Sequence, residues 1–370
     1  MPQGRKRRVA VVFGGRSAEH EVSVVSARSV IDALDPERFE VVPIGIDKGG
    51  RWHLLEGPPQ LPSGTGGLPA VAEAGGKEVA LSREPGERAL VAEDGERAPF
   101  DVVFPLLHGP FGEDGTIQGL LEMAGIPYVG SGVLASAVGM DKAVQKVLFR
   151  AAGLPVVEHV AFTEADWEQD REEIEARAQA LGLPLFVKPA ALGSSVGVTK
   201  IRSRDRLVAA VEEAFAYGRK ALIERAMEGY REIECAVLGN DDPIASLPGE
   251  VVVRGAEFYD YRAKYLDDVA RIDVPAVLQP ETVEAVQRLS VAAFRAVDAA
   301  GMARVDFFVR EPDAVFVNEI NTIPGFTSIS MYPKMWAASG VPYAELVERL
   351  VDLAVERHDR EAKRGRTLPG

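Results

Sequence analysis

The sequence predicts a three-domain protein that combines the α/β and α+β classes. Its 370 residues suffice for two or three domains of about 150 residues each. The chain opens as an apolar strand, a glycine turn and a helix, which is the start of an open α/β sheet. Near its end, two apolar strands follow one another across a short connection, which favours antiparallel pairing.

The domain organisation follows changes of pattern along the chain. We expect an N-terminal open α/β sheet domain over residues 1–136, a small central domain over 137–230 and a C-terminal antiparallel-sheet domain over 231–370. Ten of the twenty residues in 57–76 are Gly or Pro. A flexible surface insertion is therefore predicted at about 57–98.

The spacing of apolar residues predicts the secondary structure of the first two domains. Val9–Phe13 has the length of a buried strand, and Val22, Val25 and Val30 then recur near helical spacing. The other predicted elements are strands at 39–46, 101–107, 126–129, 185–189 and 221–225 and helices at 116–124, 141–152, 165–181 and 205–217.

The third domain is predicted in the same way. Ile233, Cys235 and Val237 recur at every second position, which is typical of a half-buried strand. The other predicted elements are strands at 303–309 and 314–320 and helices at 281–300 and 343–357.

Composition excludes several classes of protein. With 42 basic and 56 acidic residues the net charge is −14, so the chain would be repelled by a phosphate backbone and no nucleic-acid partner is expected. No apolar run approaches the roughly 18 residues of a membrane span, and Val9–Phe13 is too short for a signal-peptide core. The one cysteine, Cys235, excludes an internal disulfide. We expect a cytoplasmic protein.

A loop of small residues follows the strand that ends near Lys188. The segment Lys188–Val198 carries glycines and the hydroxyls of Ser194 and Ser195, so backbone N–H groups and hydroxyls can approach phosphate oxygens. It is not a Walker A loop, because no Gly-Lys-Ser/Thr opens a following helix. A nucleoside triphosphate fits this loop, and a tight hairpin without a ligand is the alternative.

Oxygen-bearing side chains are concentrated on two strands of the third domain. Glu319 and Asn321 are two residues apart and share a face of their strand, and Asp306 lies on the preceding strand. Carboxylate and carboxamide oxygens suit a hard cation such as Mg²⁺ beside phosphates, and not Zn²⁺. Ordinary solvated acidic residues are the alternative interpretation.

Two further segments lie where open α/β sheets place their ligands. One is His108–Gly115, after a buried strand, and the other is Ser17–Ser23, after the first strand. Each has a structural interpretation when taken alone. A lone histidine is more often structural, and acidic residues at the start of a helix complement its positive end.

Taken together, these motifs resemble the D-alanine–D-alanine ligase family of the ATP-grasp superfamily. Four stretches carry the resemblance, namely Gly14–Ser23, His108–Gly115, Glu257–Tyr265 and Asn318–Ser330. The similarity spans about residues 9–355, with the insertion outside it. It implies an ATP-grasp fold with a central ATP-grasp subdomain, a C-terminal catalytic domain and an ω-loop at about 250–274.

The resemblance implies ATP-dependent joining of two D-alanine molecules for peptidoglycan precursors. The first carboxylate would attack the γ-phosphorus of ATP, and the second amine would attack the resulting D-alanyl phosphate, giving D-alanyl-D-alanine, ADP and phosphate. Two Mg²⁺ ions are implied, with Mn²⁺ as an alternative. Asp306 and Glu319 would bind one ion, and Glu319 and Asn321 the other.

The resemblance also implies roles for individual residues. Arg304 and the N–H of Gly325 would stabilise the oxyanion. Glu21 would hold the ammonium of the first D-alanine, with His108 beside it, and Ser330 would bind the carboxylate of the second. Substrate contacts are also implied for Lys264 and Met331, and ATP contacts for Lys142, Lys188, Ser194, Ser195, Glu224 near the base, Arg225, Glu232 near the ribose, Lys264 and Asn318.

Tyr265 on the ω-loop bears on the choice of product. With Ser194 and Glu21 it would form a hydrogen-bonded set that closes the site and excludes water. A tyrosine at this place resembles the members of the family that form the dipeptide, so the amide product is favoured. A D-alanyl-D-lactate ligase and a non-catalytic ATP-binding protein are the alternatives, and a homodimer is expected from the family.

Overall fold

A seven-stranded sheet organises the N-terminal part of the chain. The computed structural model describes residues 5–61, 70–71, 76–84, 86–193, 196–253 and 270–364. The strands of this sheet are β1 (Arg7–Gly14), β2 (Phe39–Ile46), β3 (Trp52–Leu54), β4 (Lys77–Leu81), β5 (Ala89–Ala92), β6 (Arg97–Pro99) and β7 (Val102–Pro105), in the spatial order β6-β5-β4-β3-β2-β1-β7. β1 pairs in parallel with β2 and β7, and antiparallel pairs extend the sheet from β2 to β6.

Part of the predicted insertion belongs to this sheet. β4 and β5 lie within 57–98 and β6 begins there, so the prediction of a flexible insertion is wrong for these three segments. They are only three to five residues long, and the neighbouring Gly and Pro residues obscured their short alternation. Residues 62–69, 72–75 and 85 of the insertion lie outside the described residues.

Two antiparallel sheets form the rest of the architecture. The central sheet contains β8 (His159–Thr163), β9 (Leu185–Pro189), β10 (Thr199–Ile201) and β11 (Lys220–Arg225), in the order β10-β9-β11-β8. The third sheet contains β12 (Arg231–Gly239), β13 (Ile244–Ala245), β14 (Gly249–Val253), β15 (Ala270–Asp273), β16 (Gly301–Arg310) and β17 (Ala314–Asn321), in the order β15-β14-β12-β16-β17, with β13 paired to β12. Each sheet lies within one predicted domain, while the domain boundaries themselves stay a prediction.

Helices connect and cover the three sheets. Those within the described residues are α1 (His20–Ala33), α2 (Thr116–Met123), α3 (Val133–Met140), α4 (Lys142–Ala151), α5 (Glu164–Gln169), α6 (Arg171–Leu181), α7 (Leu207–Phe215), α8 (Pro280–Ala296), α9 (Met331–Ala338) and α10 (Tyr343–Ala362). None of the helices in this part of the chain has the length and apolar character needed to cross a membrane.

Most predicted elements are present, and the differences have local causes. The charged helix predicted at 165–181 is two helices, α5 and α6, which meet at Asp170. The strand predicted at 126–129 is a single bridge between Val103 and Tyr128. α3 and α9 were not predicted, because each is a short and largely apolar segment whose helical period cannot be told from its spacing.

The first and third domains share one apolar core. α10, near the C-terminal end, packs against α1 and β7, and the rings of Phe104 and Phe326 meet edge to face with centroids 5.8 Å apart. Trp336 and Tyr332 of α9 are buried in the same cluster. This packing fixes the N-terminal sheet against the strands of the third sheet.

A glycine directs the chain out of β1. Gly14 has a φ of +88°, which is strained for residues with a side chain, and a Cβ there would lie 2.3 Å from the carbonyl oxygen of Ile46. Its N–H donates to Ser23 Oγ at 2.7 Å. The sharp turn at Gly14 therefore holds the segment that carries Glu19 and Glu21 against the end of β1.

Candidate active site

A cleft of about 910 Å³ is lined by residues from all three parts of the chain. The predicted site residues that line it are Glu21, His108, Lys142, Lys188, Glu224, Arg225, Glu232, Arg304, Asp306, Asn318, Glu319, Asn321, Gly325, Ser330 and Met331. The structure thus brings them together, while their individual roles stay predictions. Ser194, Ser195, Lys264 and Tyr265 lie outside the described residues, as does the motif 257–265.

The pairing of β16 and β17 places the predicted metal ligands side by side. Asp306 lies directly opposite Glu319, and Arg304 lies opposite Asn321. Residues opposite one another in an antiparallel pair share a face, so the four side chains form one polar patch. Glu234 on β12 is opposite Asp306 on its other side and extends the patch. The predicted adjacency of these two strands is confirmed.

Arg304 is held by two carboxylates of this patch. Its Nε and Nη2 donate to the two carboxylate oxygens of Asp306, each at 2.7 Å, and Nε is 3.1 Å from Glu234 Oε2. Burial alone would lower the pKa of Arg304, but Asp306 and Glu234 outweigh it and hold the pKa well above its ordinary value. Arg304 is therefore a permanently charged guanidinium with a fixed orientation.

Lys142, the first residue of α4, links this patch to the central sheet. Its Nζ lies 3.1 Å from Glu319 Oε2 and donates to the carbonyl oxygen of Leu192 at 2.9 Å. Burial alone would lower the pKa of Lys142, but the carboxylates of Glu319, Glu224 and Glu113, with Glu319 the strongest of them, together raise it. The ammonium therefore stays charged beside the loop of small residues that follows β9.

The donor set of the patch fits a hard divalent cation. Asp306, Glu319 and Asn321 offer only oxygen atoms as metal ligands, which Mg²⁺ and Mn²⁺ prefer. Within the described residues, no three His, Cys, Asp or Glu side chains are grouped so that they could hold a metal ion by themselves. Asn318 Oδ1 is buried and has no hydrogen-bond partner in that part of the chain. The site thus suits an ion that also takes oxygens from a bound phosphate.

A buried carboxylate on the central sheet is held between two lysines. Glu224 Oε1 lies 2.8 Å from Lys146 Nζ, and Glu224 Oε2 contacts Lys188 Nζ. Burial would raise the pKa of Glu224, but the two ammonium groups outweigh it and lower the pKa to about 2. Burial lowers the pKa of Lys146. Lys188 and Glu224 were predicted from the sequence, whereas Lys146 was not.

The N-terminal domain contributes Glu21 and His108. Glu21 Oε1 lies 2.6 Å from Lys48 Nζ. Burial would raise the pKa of Glu21, but the hydrogen bond and charge of Lys48, together with a backbone hydrogen bond, lower it. This carboxylate is therefore ionised and already accepts an ammonium group. His108 Nε2 is 3.3 Å from Ser26 Oγ, and burial lowers the pKa of His108. Its imidazole is thus neutral at pH 7.

The loop before α9 forms a small polar pocket. Ser330 Oγ accepts from the backbone N–H of Thr327 at 3.1 Å and lies 2.7 Å from Thr327 Oγ1. Ser330 is also the residue that precedes the first turn of α9, where unpaired N–H groups favour an anion. Gly325 faces Ser330, since a Cβ at Gly325 would lie 3.4 Å from Ser330 Oγ. A carboxylate fits this pocket.

Two acidic residues of the cleft were missed. Glu19 and Glu113 both line it, and Glu113 Oε2 accepts from the N–H of Gly109 at 2.6 Å. Burial, with the charge of Glu19, raises the pKa of Glu113 to about 8. Both residues lie inside the motifs Ser17–Ser23 and His108–Gly115, and this position was the signal that could have identified them.

Comparisons with known proteins agree with this geometry. The family models described as the N-terminus and the C-terminus of D-ala D-ala ligase match residues 8–131 and 148–352. A D-alanine–D-alanine ligase of Kineococcus radiotolerans is 52% identical over 368 residues, which cover 95% of this chain and 97% of that protein.

Solved structures give the same result. The D-alanine–D-alanine ligase from Coxiella burnetii has a TM-score of 0.82 and 38% identity, over 97% of this chain and 98% of that chain. The VanG D-Ala:D-Ser ligase from Enterococcus faecalis has a TM-score of 0.82 and 35% identity, over 95% of this chain and 100% of that chain. The family and the fold predicted from the four motifs are confirmed: the chain belongs to the D-alanine–D-alanine ligase family and has its ATP-grasp fold.

Proposed function

We propose that this chain joins two D-alanine molecules into D-alanyl-D-alanine, with ATP as co-substrate and D-alanyl phosphate as intermediate, for peptidoglycan synthesis. The activity follows from membership of the family. The observation that carries the proposal is the single cleft in which Arg304, the oxygen ligands of β16 and β17 and the lysines of the central sheet meet.

The chemistry explains why these groups are needed together. At neutral pH a carboxylate and an amine form a salt, so the carboxylate must first be activated. Its oxygen attacks the γ-phosphorus of ATP and ADP leaves; the second amine then attacks the carbonyl carbon and expels phosphate. Such steps require alignment of the reactants and stabilisation of negative charge, and both can come from fixed side chains.

We assign the nucleotide to the space between the central and third sheets. Lys142 and Lys188 would contact its phosphates as point charges, together with Ser194, Ser195 and Lys264 from the resemblance. Glu224 would lie near the base with Arg225, and Glu232 near the ribose, with Asn318 also contacting ATP. Support comes from the buried ion pairs that fix Glu224 and from the cleft that all the described residues among them line.

Asp306, Glu319 and Asn321 would hold Mg²⁺ or Mn²⁺ in two sites. When bound, these ions would neutralise charge on the terminal phosphates. The protein itself already places Lys142 beside Glu319 and Arg304 beside Asp306. Positive charge from the chain thus reaches the same region and keeps the acidic ligands ordered.

The amino-acid substrates are assigned to the wall formed by the N-terminal domain and the loop before α9. Glu21 would hold the ammonium of the first D-alanine, and Ser330 with Met331 would hold the second. Arg304 and the N–H of Gly325 would stabilise the oxyanion. The remaining roles in this assignment are those of His108 beside the first substrate, Lys264 as a substrate contact, and Tyr265 with Ser194 and Glu21 as the set that closes the site.

We further propose that the protein is a homodimer that acts in the cytoplasm, without a nucleic-acid or membrane partner. The helix α3 contacts both α2 and α4, and the three helices carry exposed apolar side chains, among them Met123, Leu134 and Val147. Met123 is 90% exposed. A second copy of the chain would cover this surface, and the mass in solution by light scattering tests it.

Phosphate release tests the proposed function. The full chain is incubated with ATP and Mg²⁺, with D-alanine alone and with D-alanine plus either D-serine or D-lactate, across a range of pH. We expect release with D-alanine alone and the dipeptide as main product at alkaline pH, where the attacking amine is deprotonated. Absence of D-alanine-dependent release would refute the proposal, and a main product that contains D-lactate or D-serine would refute the assigned acceptor.

A further inference from the structure

We propose that Lys146 is a positioning residue, which couples the nucleotide pocket of the central sheet to the strand that carries the metal ligands. The inference rests on the proposed function, because it takes Glu224 as a nucleotide contact and Glu319 as a metal ligand. Lys146 itself is not among the residues that line the cleft, and it is fully buried, with 0% of its surface exposed.

Two contacts of Lys146 join different sheets. Its Nζ lies 2.8 Å from Glu224 Oε1 on β11 and donates to the carbonyl oxygen of Asn318 on β17, also at 2.8 Å. Glu224 is 4% exposed, so this contact is shielded from water. One ammonium group, carried by α4, therefore touches a strand of the central sheet and a strand of the third sheet.

The contact with β17 occurs at an irregularity of the ladder. Asp306 pairs with Glu319 and the next residue, Phe307, pairs with Val317, so Asn318 has no partner in this register. Such a bulge re-aims the neighbouring side chains. At this bulge the Lys146 ammonium donates a hydrogen bond to the carbonyl oxygen of Asn318. It thus supports the backbone immediately before Glu319.

The neighbouring residue reinforces the same stretch of β17. Gln145 Oε1 accepts from the N–H of Ile320 at 2.8 Å, and its Nε2 donates to the carbonyl oxygen of Gly139. Side chains of α4 therefore form hydrogen bonds with the backbone on both sides of Glu319. Of these two neighbouring residues, only Lys146 also contacts Glu224 of the central sheet.

The arrangement at Glu224 explains why two lysines are present. Lys188 contacts one carboxylate oxygen and Lys146 the other. Lys188 lines the cleft, where a phosphate can compete for its ammonium, whereas Lys146 does not. Lys146 therefore keeps Glu224 ionised and oriented when Lys188 turns to a nucleotide.

Calorimetric titration with ADP, with and without Mg²⁺, tests this inference on the full chain. We compare the wild type with Lys146→Met and with the control Arg150→Met, which removes a cation from the exposed side of the same helix. Lys146→Met is expected to weaken ADP binding by about tenfold or more, and to raise the Mg²⁺ concentration for half-maximal phosphate release, as loss of a supporting contact does. Arg150→Met should change neither.

A double-mutant cycle separates positioning from a merely structural role. In the Glu224→Gln background, Lys146→Met should weaken ADP binding much less than it does in the wild type, because the partner charge is already gone. Equal effects in both backgrounds would overturn the inference, as would ADP affinity and Mg²⁺ dependence unchanged in Lys146→Met. If Lys146→Met does not fold, the same measurements on Lys146→Gln, which keeps a donor, decide the question.

The outcomes also separate this inference from the proposed function. ADP binding needs neither D-alanine nor turnover. A wild type that binds ADP but releases no phosphate with D-alanine would refute the function alone. A wild type that is active, with ADP binding indifferent to Lys146, would refute only the positioning role.

Discussion

Glu319→Gln is the sharpest perturbation of the proposed site, because Glu319 is assigned to both metal sites. The substitution keeps the shape of the side chain and removes one negative charge. Glu319 Oε2 lies 3.1 Å from Lys142 Nζ, and at an effective dielectric constant of about 20 this pair has a Coulomb energy of about 5 kcal/mol. Water reduces this value because both side chains are partly exposed.

Two results are expected from this loss. The pKa of Lys142 falls, because its largest raising influence is the charge of Glu319. Phosphate release falls by at least about 100-fold, more than the usual effect of losing a residue that merely supports a metal ligand. Turnover is measured by phosphate release at saturating ATP and D-alanine, with Mg²⁺ titrated for each variant.

A matched substitution controls for the change of charge. Glu345→Gln removes a carboxylate from the exposed pair with Arg349 on α10, so its turnover should equal that of the wild type. If Glu319→Gln kept the turnover and the Mg²⁺ dependence of the wild type, the assignment of the metal site to β16 and β17 would be wrong.

Three other predictions concern stability. Glu224→Gln leaves two buried ammonium groups without their carboxylate and should lower the free energy of unfolding by about 3–5 kcal/mol at neutral pH, as measured by denaturant titration. Because the pKa of Glu224 is lowered to about 2 from 4.5, the difference from the wild type should be complete above pH 4.5 and vanish as the pH falls towards 2. Glu113→Gln should have the opposite pH dependence, because the pKa of Glu113 is raised from 4.5 to about 8. Wild type and variant should be equally stable below pH 4.5, and the variant should be more stable above pH 8. A difference in the free energy of unfolding that does not change with pH would contradict this. Gly14→Ala and Gly86→Ala both place a side chain at positive φ, which should lower the free energy of unfolding by about 1–2 kcal/mol. Only Gly14→Ala also puts a Cβ 2.3 Å from a carbonyl oxygen, so the melting temperature of this variant should fall further than that of Gly86→Ala.

The parts of the fold that could be predicted are those with a clear local period. β2 was predicted with its observed bounds, because Phe39–Ile46 is an apolar run between turn residues. β9 was likewise predicted with its observed bounds, 185–189. The side-by-side placement of Asp306 and Glu319 could be predicted because the two strands that carry them are consecutive. Each of these inferences needed only neighbouring residues.

The parts that could not be predicted depend on contacts across the chain. Lys146 has the sequence context of an ordinary surface lysine on a helix, and only its placement against Glu224 and the bulge at Asn318 makes it buried. The raised pKa of Glu113 likewise depends on burial and on the charge of Glu19, which a different segment brings to the cleft. The local sequence pattern around one residue does not show which distant residue will contact it in the fold.

Transfer of ¹⁸O from the carboxylate of D-alanine tests the central claim most directly. The full chain is incubated with ATP, Mg²⁺ and D-alanine labelled in both carboxylate oxygens, and phosphate and dipeptide are analysed by mass spectrometry. If D-alanyl phosphate is the intermediate, the oxygen that attacked the γ-phosphorus leaves with it, so each phosphate released carries one ¹⁸O. Phosphate without ¹⁸O, formed together with dipeptide, would contradict the mechanism proposed for this cleft.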